Sequence, residues 1–226
     1  MARGGWRALG LFAALATGVP VVATAEPVVV DRTVVRFVAS ETGGVRAPRF
    51  IYARELAFEA RLEALADPDH AADAAPLPRH VRAALERHVA ETLLASSRID
   101  PPPSDAEIAA VTRAARSMLA DRAGGAAKLR AAADAEQVGE QVLPRIAARQ
   151  ARASLYVDRM VAPMLAPTEA ELRTAHRQSQ YRSLPFDEAR PAVQRWVVSR
   201  RLTAAVAAHY QAARSRIAIT ILEPAG

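Results

Sequence analysis

Between Phe186 and Leu222 the sequence reads as one long helix, Phe186 to Arg214, leading into a short strand, Ile217 to Leu222. Few folds can use that pair. In the strand, Ile217, Ile219 and Ile221 alternate with Ala218 and Thr220, the two-residue period of a β-branched strand. In the helix, at about 100° per residue, Phe186, Ala189, Val193, Trp196 and Val197 share one face, which Arg200 interrupts. Val198, Leu202, Ala205, Val206, His209 and Ala213 lie on roughly the opposite side. Such a helix is covered on one side in its first half and on the other in its second, so it is expected between two parts of a fold. The strand needs a partner for its backbone groups. The best match is the β-prone run Val28 to Val38 near the other end. The expected fold is mainly α, with a small antiparallel β-sheet joining N-terminal and C-terminal strands.

Residues 1–25 carry the pattern of a secretory signal peptide. Arg3 and Arg7 precede an apolar stretch from Ala8 to Val22, and Ala23-Thr24-Ala25 is a small-x-small cleavage site. About fifteen apolar residues containing Pro20 fall short of the ~20 of a spanning helix, so cleavage after Ala25 and export to the periplasm are expected. Cleavage would change the net charge from +6 to +4, with twenty-eight basic against twenty-four acidic residues. No later stretch is apolar enough to span a membrane. The basic residues are all Arg except Lys128 and are mixed with Asp and Glu, without an aromatic-interleaved cluster, which argues against nucleic acid. With no cysteine, disulfides and thiolate metal sites are excluded.

From Glu26 to Gly226 the chain is expected to form one domain. Glu41-Thr42-Gly43-Gly44 supplies a turn, with a short second strand expected over Val45 to Ile51. Helices are predicted over Tyr52–Ala66 and Arg79–Ser97, separated by the Asp67–Pro78 loop. Pro101-Pro102-Pro103 is a stop. Ser104-Asp105-Ala106-Glu107 and Thr168-Glu169-Ala170-Glu171 are capping boxes that each open a helix. Between them, Gly124-Gly125 precedes a short helix, Ala126 to Asp134, and a longer one from Glu136 to Val161, bent at Pro144.

The sequence shows no catalytic, cofactor-binding or metal-binding constellation. Gly-x-Ser-x-Gly, a Gly-rich phosphate loop and His-Glu-x-x-His are all lacking. His80 and His88 share a helix at eight-residue spacing, unlike the i,i+3 or i,i+4 spacing of a metal pair, and read as surface or partly packed residues. No cofactor is expected.

The order of elements carries more than any one of them. A signal peptide leads into Val30-Asp31-Arg32-Thr33-Val34-Val35-Arg36-Phe37-Val38, then a turn and a helix containing Glu55-Leu56. Ala84-Leu85-Glu86-Arg87-His88-Val89-Ala90-Glu91-Thr92-Leu93-Leu94 follows. Next come Pro103-Ser104-Asp105-Ala106-Glu107-Ile108, Pro167-Thr168-Glu169-Ala170-Glu171-Leu172 and Pro185-Phe186-Asp187-Glu188-Ala189-Arg190, then Arg216-Ile217-Ala218-Ile219. This order resembles the chaperone module of the SurA family of bacterial periplasmic chaperones, related in design to the helical parts of PrsA-like foldases and trigger factor. It covers about Val28 to Leu222. In that family, parvulin-type prolyl isomerase domains are inserted before the last long helix. The corresponding position here, about Gln178 to Pro185, is too short for an independent core. The resemblance therefore implies the chaperone half of the family without the isomerase, and carries over no catalytic residue.

It also implies an ATP-independent holdase for unfolded, especially outer-membrane, polypeptides, needing an apolar cleft that stays open in the folded state. Candidate client-binding residues are Met118, Leu119, Leu155, Tyr156, Met160, Met164 and Tyr210, with methionine suited to varied clients because it repacks easily. The competing reading is an envelope adaptor that uses the same scaffold for one dedicated protein partner.

Overall fold

The computed structural model describes residues 31–222. In chain order the elements are β1 (Thr33–Val38), β2 (Arg49–Tyr52), α1 (Ala53–Ala66), α2 (Pro78–Ser96), α3 (Asp105–Arg122) and α4 (Ala126–Ala135). They continue with α5 (Val142–Tyr156), α6 (Glu169–Gln178), α7 (Phe186–Arg214) and β3 (Ala218–Ile221). The fold is mainly α with one small antiparallel sheet in the order β2-β1-β3. β1 pairs with β3 in the register Val35↔Ile221 to Val38↔Ala218, and with β2 through Val35↔Ile51 and Phe37↔Arg49. The strand after the long helix thus finds its partner near the other end of the chain, as its unpaired backbone groups require. Val28 to Val30 of the expected first strand, and the signal pattern, lie outside the described residues.

The alternation of the sheet decides what it covers. Val35, Phe37 and Ile51 point inward and are buried with Val89 and Leu93 of α2 and Tyr210 and Ala213 of α7. Ile217 joins this core and Ile219 packs against it, but Ile221 is 71% exposed. The three isoleucines are therefore not equivalent: exposure rises from Ile217 through Ile219 to Ile221, toward the end of the edge strand β3.

Some expected boundaries move, for local reasons. The second strand begins at Arg49, not Val45, because Gly43 and Gly44 take φ of 103° and 67° and wind residues 44–46 into a 3-10 turn. A Cβ on Gly43 would meet the Ala47 Cβ at 2.8 Å, so this turn needs glycine. The single helix expected from Glu136 to Val161 is divided. A turn with Gln137 at φ 51° occupies its beginning, and Pro144 sits in the first turn of α5, where a proline causes no bend. At its other end, Val157–Val161 widens into a π-helical turn and Ala162–Leu165 tightens into a 3-10 turn. The capping box at Thr168 is complete: its hydroxyl accepts from the Glu171 N–H at 3.3 Å, and its N–H donates to the Glu171 carboxylate at 2.7 Å. The one at Ser104 is half-formed. Ser104 accepts from the Glu107 N–H, while the Glu107 carboxylate turns away to receive Arg159 of the π turn at 2.5 and 2.6 Å.

α7 changes sides as its pattern predicts. Ala189 and Val193 pack on Leu172 of α6 with Tyr181, Phe186 and Val197. Leu202 and Val206 then pack against Leu94, Ala153 and Val157, and Tyr210 and Ala213 close the sheet core. A fourth cluster, among α1, α3, α4 and α5, centres on Phe58, Leu62, Leu119 and Ile146.

The asymmetry of the last strand gives a direct check. Ile217→Ala empties a buried site and is expected to cost about 2–4 kcal/mol, whereas Ile221→Ala should stay within about 0.5 kcal/mol of the parent. Denaturant unfolding of the two variants measures both; equal losses would contradict the sheet packing.

Candidate functional site

α1, α2 and α5 meet around charge. Glu55 and Glu59 stand one turn apart on α1, His88 and Glu91 lie on α2, and Arg145 and Arg149 are one turn apart on α5, so each pair shares a helix face. Arg149 donates from Nη1 to Glu55 at 3.1 Å, from Nη2 to Glu59 at 2.5 Å, and from Nε to Glu91 at 3.2 Å. Arg145 adds a bond to the other Glu55 oxygen at 2.6 Å, and His88 Nδ1 lies 3.1 Å from Glu59. Glu55, Glu59 and His88 are all buried. Isolated charges at such depth would be very costly, and they persist because each is paired and hydrogen-bonded.

The two carboxylates facing Arg149 from opposite helices differ in character. At Glu59, burial favours the neutral acid, but the hydrogen bond to His88 and the Arg149 guanidinium outweigh it and hold the carboxyl below its ordinary value. At Glu91, burial prevails over Arg149, and Glu59 adds repulsion, so this carboxyl is pushed up. Arg149 is itself held more firmly protonated, since Glu59, Glu91 and Glu55 overcome its desolvation. Ligand atoms of Glu55, Glu59 and His88 lie within 4.8 Å of one another, close enough for a metal ion. The place of a cation between the two glutamates is taken by the Arg149 guanidinium.

His80 and His88, expected as surface or partly packed residues, are both buried. His80 Nδ1 accepts from the Leu77 N–H at 3.1 Å, which leaves its Nε2–H to donate to Asp67 at 3.0 Å. It thereby ties the start of α2 to the end of α1.

An apolar cleft of about 410 Å³ opens beside the charge network, between α2, α3 and α5. Leu94, Val111, Leu119 and Val157 supply apolar walls, and the small side chains of Ala114, Ala115 and Ala153 leave the space open. Glu91 lines it too, so the network reaches the cleft. Arg87 and Arg122 edge it, and both are engaged by Glu63 of α1, at 2.7 and 2.5 Å.

Of the candidate client-binding residues, the cleft brings together Met118, 69% exposed, and Leu119, which is buried in its wall. Tyr156 is half-buried and packs on the adjoining Leu94–Ala153–Val157 cluster. Met160 is half-buried in the π turn, and Met164 is exposed on the following turn. Leu155 and Tyr210 are buried, the latter in the sheet core, where a client could reach neither without unfolding. The ionic residues escaped sequence reasoning, although Glu55–Glu59 and Arg145–Arg149 at i,i+4 on three-way-packed helices were a usable signal. Comparison with protein-family models, curated proteins and solved structures finds no match for the chain. Among the described residues no helix is long and apolar enough to cross a membrane.

The opposite shifts predict opposite pH responses. Ionised Glu59 stabilises the fold above its unfolded-state pKa, and that contribution is lost as pH falls through its depressed folded value. Glu59→Gln should therefore destabilise at pH 7, with a deficit that shrinks on acidification. Glu91, with a raised folded value, carries a penalty that builds as pH rises. Glu91→Gln should be neutral or stabilising at pH 7, the gain vanishing below the ordinary carboxylate range. Thermal melts from pH 3.5 to 7.5 distinguish the two, and parallel curves would refute the assignment.

Proposed function

We propose that this chain is an ATP-independent periplasmic holdase that shields unfolded polypeptides, outer-membrane β-barrel precursors foremost, and has no prolyl isomerase activity. The observation that carries the reading is the cleft between α2, α3 and α5. Its walls are mainly apolar, its width comes from alanines, and among its lining residues Met118 of α3 is 69% exposed. Large exposed apolar side chains beside a concavity mark binding surfaces. Methionine can repack around clients of different shape.

The element order supports the same reading, since in the SurA-like arrangement N- and C-terminal segments join into one helical module, as β1 and β3 here pair across the chain. The segment where that family carries its isomerase domains is here a short turn. Arg182 and Leu184 N–H groups donate back to Ser179 and Tyr181, and His176 Nε2 lies 3.0 Å from the carbonyls of Tyr181 and Leu184. The link between α6 and α7 thus closes on itself.

The purified protein is expected to delay aggregation of several chemically unfolded β-barrel clients at near-stoichiometric ratio, without ATP and without accelerating prolyl isomerisation. Burial of apolar client side chains should survive moderate salt. Met118→Asp should weaken this protection several-fold while leaving the melting temperature nearly unchanged, because Met118 is mostly exposed. A wild-type protein that protects no unrelated client, yet co-purifies stoichiometrically with one envelope protein, would replace the holdase by the adaptor.

A further inference from the structure

A second concavity, of about 540 Å³, lies between α6 and α7, away from the cleft of Met118. Its apolar part is formed by Ala175, Trp196 and Val197. Two arginines and one glutamate line it as well, and they are not equivalent. Glu171 is consumed within the fold. The Thr168 N–H, the Thr168 hydroxyl and Arg201 hold its carboxyl down at about 2, so it stays ionised and paired with Arg201. Arg201 also donates to the Leu165 carbonyl at 3.2 Å. Arg200 has no carboxylate partner among the described residues. It is exposed, and its guanidinium stands 5.0 Å over the Trp196 ring. The surrounding hairpin is cationic: seven arginines against four acidic residues between Glu169 and Arg201.

We propose that the α6–α7 groove binds a client segment in which an aspartate or glutamate side chain is flanked by apolar residues, its carboxylate meeting Arg200 and its apolar neighbour lying on Trp196 and Val197. The groove supplies both halves of that recognition side by side. Stacking on Trp196 limits the rotamers of Arg200, so less freedom is lost when its planar fork meets a carboxylate. An uncharged apolar segment would gain the second contact alone. A basic segment would face Arg200 and the net positive hairpin. This deepens the holdase reading and rests on it for the identity of the partner as polypeptide, but it concerns a different surface from the Met118 cleft.

Trp196 reports on its own groove. The chain has two tryptophans, and Trp6→Phe leaves Trp196 as the single one. Titrating that full-length variant with a twelve-residue peptide carrying one Asp between Leu and Phe should shift Trp196 emission. The Asn version of the peptide should bind about fivefold more weakly, the upper range for an exposed charge pair, and the difference should fade at 0.5 M salt. Arg200→Gln should make the two peptides equivalent while circular dichroism stays unchanged, and Arg200→Lys should restore part of the preference. Amidating the peptide terminus should change nothing; if it abolishes binding, the site takes a chain-terminal carboxylate and the proposal is overturned in favour of that source. Equal binding of the Asp and Asn peptides by the parent would also overturn it. A silent Trp196 in a protein that still protects clients would remove the groove and leave the holdase. Asp-selective binding without client protection would remove the holdase and leave the groove.

Discussion

The guanidinium of Arg149 is the point at which α1, α2 and α5 are fixed to one another. Its three nitrogens are shared among Glu55 and Glu59 on one helix and Glu91 on another. Apolar packing alone would let these helices slide, because dispersion and burial are non-directional. A planar fork with three separate acceptors does not tolerate sliding. The arrangement is also demanding. Removing the central cation would leave Glu55 to Arg145, Glu59 to His88, and Glu91 with no ion-pair partner among the described residues; breaking a buried pair costs about 3–5 kcal/mol in comparable cases. The flanking apolar clusters, around Phe58 and Ile146 on one side and Phe37 and Leu93 on another, supply the burial that allows such a polar centre.

That fixed three-helix frame explains how an apolar cleft can remain open beside it. α2 and α5 are held in place by the network, so α3 can cover them through small residues without collapsing the gap at Ala114, Ala115 and Ala153. Arg87 and Arg122 meet at Glu63 on the edge of the cleft and bind α2 and α3 to α1. α7 then joins the remaining parts. Its first half forms a separate small core with α6, its middle meets α2 and α5, and its end completes the sheet. On the proposed reading, the chain presents two unlike surfaces, a methionine-edged apolar cleft and a groove whose Arg200 has no carboxylate partner among the described residues.

Much of the fold was legible because it rests on local periodicity. The alternation at Ile217, Ile219 and Ile221 gave the strand, the side-switching apolar residues of Phe186 to Arg214 gave the bridging helix, and Thr168–Glu171 gave a complete cap. What was not legible depends on tertiary context. Pro144 looks like a kink unless one knows that Gln137 has already turned the chain. Glu107 looks like a capping partner, but Arg159, far along the sequence, competes for its carboxylate more strongly than a backbone N–H can. The candidate client residues are large, adaptable side chains. That property belongs to Met118 at the cleft but equally to Tyr210, which the sheet core claims, and not to the alanines that make the cleft.

The central claim is that unfolded polypeptide enters the cleft between α2, α3 and α5. Site-specific photo-crosslinking tests it most directly. A photoreactive residue placed at Met118, at the mouth of the cleft, is compared with one at Val45, which is equally solvent-exposed in kind at 78% but stands on the Gly43–Ala47 turn by the sheet. With an unfolded β-barrel client present, the account predicts a strong adduct at position 118 and background at position 45. Equal adducts at both positions, or an adduct at position 45 alone, would contradict it.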